Sequence, residues 1–155
     1  MILSLALADA ASAATTVATA KWTQVESRTA CEAMNPRYCV GIYGFVVNDH
    51  GHFIIGPNPT GKTLEGELTT DEFAQLKAHA DALATDVAAD PTGKCEAGRR
   101  MMGTADVITL TVDLKAYAVA TGPNASCSYN GDTESTKQLI ADVQRLRQKY
   151  YVTPF

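Results

Sequence analysis

The alternation of apolar and polar positions divides the chain into short strands and two helices. Trp22 to Ser27 carries a strand pattern. Val40 to Asn48 is apolar at nearly every position, with Ile42, Gly44 and Val46 on one face and Tyr43, Phe45 and Val47 on the other. A strand apolar on both faces suits an interior place in a sheet, covered on both sides or covered on one side by a partner surface. Asn48-Asp49-His50-Gly51 then reads as a turn, His52 to Gly56 as the returning strand, and Thr63 to Leu68 as a short third strand.

From Thr69 the period changes from two to 3.6. Thr69 and Glu72 have capping-box spacing, and Phe73, Leu76, Ala80, Leu83 and Val87 recur at steps of three and four, the stripe of an amphipathic helix that ends at Pro91-Thr92-Gly93. The order then returns. Ile108, Leu110 and Val112 alternate with Thr109, Thr111 and Asp113, and Lys115 to Thr121 comes back with Tyr117 and Val119 on one face. A short strand at Ser126 to Tyr129 leads into a helix capped at Asp132 or Thr133, with Leu139, Val143, Leu146 and Tyr150 as its stripe. His79 falls on the polar flank of the first helix, and Arg145, Arg147 and Lys149 lie near the C-terminus of the second, where they complement its dipole. The β-β-β-α order thus occurs twice, at about residues 40–90 and 105–152. It predicts an α+β fold, one antiparallel sheet with two helices on one face, in a single domain over residues 21–155.

Residues 1–20 stand apart from this pattern. A short apolar run precedes Ala11-Ser12-Ala13, which has the small-x-small form of a cleavage site, so the segment reads as a signal peptide or a disordered leader. Export to a secreted or periplasmic location follows. The four cysteines, Cys31, Cys39, Cys95 and Cys127, are an even set that suits two disulfides in such a compartment. Three pairings are open; Cys31–Cys39 with Cys95–Cys127 closes each loop without crossing between the halves. No C-x-x-C spacing points to zinc. A net charge of −4 and a pI near 5.3 leave no basic footprint for nucleic acid, and no apolar run reaches the ~20 residues of a membrane span.

Gly56-Pro57-Asn58-Pro59-Thr60-Gly61-Lys62-Thr63 fits the phosphate-loop pattern at every fixed position. That chemistry needs a helix to begin at Gly-Lys-Thr so that its N–H groups meet the phosphates. Here a strand follows and the helix cap waits until Thr69. The Gly-Pro-Asn opening returns at Gly122-Pro123-Asn124 without the Gly-Lys-Thr, so the shared element is a turn and no nucleotide is expected. Asp49-His50-Gly51-His52 brings two histidines and a carboxylate together but is accounted for by the hairpin. Glu65 and Glu67 share one strand face. With no G-x-S-x-G elbow, the residues point away from catalysis, and neither cofactor nor metal is expected.

The strongest functional lead is Cys31-Glu32-Ala33-Met34-Asn35-Pro36-Arg37-Tyr38-Cys39, a nine-residue ring when its own cysteines pair. A short ring orders a binding loop in advance and so lowers the cost of binding. This ring resembles the inhibitory loop of Bowman–Birk serine-protease inhibitors, which is also nine residues with Asn-Pro in the middle. The resemblance implies that Ala33 is read by the protease pocket and that Met34 follows the scissile bond. Glu32 and Met34 depart from that family's threonine and serine, and no second proline follows Pro36. As architecture, the strand Gly41-Ile42-Tyr43-Gly44-Phe45-Val46, the helix from Thr70, the strand Asp106 to Asp113 and the helix from Asp132 are similar to emfourin-type bacterial inhibitors of metalloproteases, a family without these cysteines.

These readings predict an exported, non-enzymatic binding protein, most concretely an inhibitor of a secreted or periplasmic hydrolase. Its partner-binding residues are Ala33, Met34, Asn35 and Arg37 in the ring, with Arg99, Arg100 and Met101 beside Cys95. The alternatives are a small exported enzyme or metal binder using His50, His52, Glu65 and Glu67, and an interaction module of an envelope or secretion complex. Extensive apolar surface on Tyr43, Phe45 and Val47 would support the last, and their burial in a monomer would count against it.

Overall fold

The computed structural model describes residues 20–31, 44–56, 62–91, 104–121 and 133–151. They form β1 (Trp22–Cys31), β2 (Gly44–Asn48), β3 (His52–Gly56), β4 (Leu64–Glu67), α1 (Thr70–Ala89), β5 (Thr104–Val112), β6 (Lys115–Thr121) and α2 (Glu134–Tyr151). The strands make one antiparallel sheet in the order β4-β3-β2-β1-β5-β6. Both helices pack on one face of it, as the pattern predicts.

Register turns the period-two pattern into two rows across the inner face. One row is Leu64, Ile55, Phe45, Ser27, Ile108 and Val119; the next is Gly66, Phe53, Val47, Val25, Leu110 and Tyr117. Leu76, Ala80, Leu83 and Val87 of α1 and Leu139, Val143 and Leu146 of α2 close over these rows, and all seven are buried. Each large side chain buried here contributes about 1.5–3 kcal/mol. Phe45 and Val47, with 1% and 0% exposure, belong to this core. Their apolar character is therefore used inward, while Val46 turns to the outer face between Ile54 and Glu26.

β1 is longer than its pattern suggests. It continues past Ser27 to Cys31 because β5 pairs with it throughout, ending at Cys31 opposite Thr104. Cross-strand backbone bonds extend a strand where side-chain alternation has faded. The second half contributes β5, β6 and α2; the strand expected at Ser126 to Tyr129 lies outside the described residues.

Two tight turns set the register at one end. In the β2–β3 turn Gly51 has φ 89°, and an added Cβ would lie 3.1 Å from the Phe73 ring. The β5–β6 turn places Asp113 and Leu114 at φ 47° and 68°, the left-handed pair of a type I′ hairpin. Asn48 Oδ1 accepts from the backbone N–H groups of His50 and His52, which holds the first turn closed.

Gly66 on β4 has a packing role. An added Cβ would come within 2.7 Å of Phe53 Cζ, because the ring lies across the glycine. That ring is itself fixed between Phe45 and Tyr150, at centroid distances of 5.9 and 4.4 Å. Gly66→Ala is expected to destabilise the protein by about 1–3 kcal/mol through this overpacking. A chemical-denaturation midpoint measures it, and a neutral result would mean that the ring moves freely.

α1 begins with the expected capping box. The Glu72 N–H donates to Thr69 Oγ1 and the Thr69 N–H donates to Glu72 Oε2. At α2 the cap is Thr133, whose Oγ1 accepts from the Thr136 N–H. The helices run antiparallel and meet through a polar ladder of heptad spacing. Lys149 Nζ donates to Glu72 at 2.5 Å, His79 Nδ1 lies 2.5 Å from Asp142 Oδ2, and Ser135 Oγ donates to Asp86.

Candidate functional site

Following each strand to its end separates the two ends of the sheet. The Cys31, Gly44, Gly56, Leu64, Thr104 and Thr121 termini all lie at one end. The tight turns at 49–51 and 113–114 and the short link from β4 to α1 lie at the other. The C-terminus of α1 and the N-terminus of α2 also belong to the first end, where Ser135 meets Asp86. Segments 32–43, 57–61, 92–103 and 122–132 therefore all depart from and return to a single end. β1 and β5 run on together there past the last β1–β2 neighbours, Ser27 and Phe45, with β6 beside β5 as far as Thr121 opposite Asp106, so that only Ala30 and Cys31 against Ala105 and Thr104 form a two-stranded tip, about 7 Å long.

This end is the candidate site, because every cysteine is on it or in a segment anchored to it. Cys31 is the last residue of β1. Cys39, Cys95 and Cys127 lie outside the described residues, as do Ala33, Met34, Asn35, Arg37, Arg99, Arg100 and Met101. What the described residues give is the frame: 32–43 joins β1 to β2, 92–103 joins α1 to β5, and 122–132 joins β6 to α2. The frame places the start of 32–43, on β1, beside the end of 92–103, on the paired strand β5.

The other residues singled out by sequence take the following places. Lys62 and Thr63 are exposed, and β4 stands between them and the start of α1 at Thr70, so no helix N-terminus follows the Gly-Lys-Thr. His52, Glu65 and Glu67 come together on the outer face of β3 and β4: His52 is opposite Glu67, and its Nε2 lies 3.9 Å from Glu65 Oε2. His50 instead sits at the hairpin tip, 3.0 Å from Asp49. Among the described residues, no group of three or more His, Cys, Asp or Glu side chains stands close enough to share a metal ion.

Sequence reasoning missed the seam between the helices. His79, expected on a solvated flank, is three-quarters buried against Asp142, which is 3% exposed and also accepts from Gln75 at 2.7 Å and Arg145 at 3.3 Å. Arg145, Arg147 and Lys149 do more than complement a dipole. Arg145 serves Asp142, Arg147 reaches toward Ser27, and Lys149 binds Glu72. Burial alone would raise the Glu72 pKa, but hydrogen bonds from Lys149, Tyr150 and Thr69 outweigh it and lower it to about 2. Burial and the bond to Glu72 push the Tyr150 hydroxyl up, and the same carboxylate raises Lys149. The signal in sequence was the seven-residue spacing of Glu72, His79 and Asp86 against Ser135, Asp142 and Lys149.

A cavity of about 400 Å³ opens beside Ala20, Lys21, Lys77, Asp81 and Thr85, at the start of β1. Its carboxylate is engaged: Asp81 accepts from Trp22 Nε1 at 2.8 Å and from Lys77 at 2.5 Å. None of the described helices is long and apolar enough to cross a membrane. Comparison with protein-family models, with curated proteins and with solved structures finds no match to this chain.

Proposed function

We propose that this is an exported, non-enzymatic binding protein, and most concretely an inhibitor of a secreted or periplasmic hydrolase. What supports the reading is the convergence of three cysteine-bearing segments, and of Cys31 itself, on one end of a sheet whose other end is closed by tight turns. A rigid sheet that carries several anchored loops at one end is a suitable base for a contact surface, since the scaffold bears the ordering cost. The ring of Cys31 to Cys39, carrying Ala33, Met34, Asn35 and Arg37, would enter the target's cleft, with Arg99, Arg100 and Met101 beside it. Burial of Phe45 and Val47 counts against the interaction-module reading, while Tyr43 lies outside the described residues.

The test begins with oxidised protein immobilised and exposed to the secreted proteins of its source. A captured hydrolase is then assayed with and without the protein. The expected result is one hydrolase retained and inhibited, with retention lost in the Cys31→Ser/Cys39→Ser double variant and in Met34→Asp, which keeps every cysteine. Retention unchanged in both variants, or a captured enzyme with full activity, would overturn the reading.

A further inference from the structure

β4 is an edge strand, and its register decides what that edge offers. The Leu68 N–H donates to the Gly51 carbonyl at 2.9 Å, which makes Leu68 and Gly51 a hydrogen-bonded pair. By alternation the same holds for Gly66 with Phe53 and Leu64 with Ile55. The backbone groups of Glu65 and Glu67 therefore point away from β3, and no described residue bonds to them. The side chains of both glutamates stand exposed on the outer face, Glu65 at 61%. Inward, the strand shows the half-buried Leu64 and, at Gly66, the covering ring of Phe53.

A second copy pairing here would set Glu65 and Glu67 against the same two glutamates, and like charges across a strand pair repel. An added strand with lysine or arginine at alternate positions meets both carboxylates on one face. Its intervening residues cover Leu64 on the other. We propose that the edge of β4, unpaired among the described residues, is a strand-addition site for a basic, extended segment of a partner protein. This surface is distinct from the cysteine-bearing end and stands whether or not that end inhibits a hydrolase.

The test uses the full chain and a short acetylated peptide of alternating lysine and valine. Two controls have glutamate in place of lysine, or N-methylated amides along the edge that faces β4. The expected result is saturable binding of the lysine peptide. Amide exchange slows at Glu65 and Glu67 and is unchanged at Leu64 and Gly66, which already donate to β3. Glu65→Lys/Glu67→Lys should weaken that peptide roughly tenfold or more and favour the glutamate peptide. No binding of the lysine peptide, equal binding of the glutamate peptide or the N-methylated peptide, or protection that appears with protein concentration alone, through self-pairing, would overturn the proposal.

Discussion

Phe53→Ala is expected to lower the unfolding free energy by about 3–5 kcal/mol, among the largest losses from one substitution in this fold. The ring is 3% exposed and joins three elements. It meets Phe45 of β2, lies tilted by 37° against Tyr150 of α2, and covers Gly66 of the edge strand. Truncation removes buried apolar surface and leaves a cavity that Gly66, having no side chain, does not fill. The local consequence separates this role from a generic core loss. Amide exchange at Leu64 and Gly66 should accelerate by more than exchange at Leu110 on the far side of β1. Urea unfolding and hydrogen exchange measure the two parts. A loss below about 1 kcal/mol, or uniform acceleration across the sheet, would refute the account.

The second large effect is pH-dependent and centres on Glu72. Its folded pKa of about 2 lies below the ordinary 4.5, so the carboxylate stabilises the folded state above the ordinary value. That contribution is lost as pH falls from about 4.5 toward 2. With Lys149 half exposed and the pair partly screened by solvent, the shift corresponds to about 2 kcal/mol at neutral pH. Glu72→Gln should remove most of it, because a neutral amide keeps the volume but not the charge that holds Lys149. The expected observation is a clear stability loss at pH 7 that shrinks on acidification until variant and parent converge near pH 2. A constant difference at all pH values would show that packing, and not charge, is what Glu72 supplies.

Most of the fold was legible in the sequence because burial on this sheet is one-sided. Ile108, Leu110 and Val112 alternate with polar neighbours, and all three are buried. The stripe from Leu76 to Val87 is likewise buried, and the Thr69–Glu72 box forms as the spacing required. What periodicity could not convey is the direction a polar residue faces. His79 and Asp142 break no apolar stripe, and a pattern of hydrophobicity treats them as facing water, whereas each faces the other. Only the antiparallel pairing of the helices, a long-range property, brings residues 79 and 142 together. The same limit applied to β1, whose last residues are ordered by pairing with β5 and not by their own alternation. At the candidate site the residues singled out by sequence lie outside the described residues, and the fold shows the end of the sheet from which their segments depart and to which they return.

The separation of the two ends has a consequence for how this chain can change over time. The β2–β3 and β5–β6 registers are set by the turns at Gly51 and at Asp113-Leu114, both remote from the cysteine-bearing segments. A residue gained or lost in either turn would slip a whole strand and invert its inner and outer faces. Gains and losses in 32–43, 92–103 or 122–132 leave those two registers untouched, because these segments lie outside both hairpins. The turn end of the sheet is thus held to its length by its two hairpins, a constraint that those hairpins do not impose on the segments at the other end.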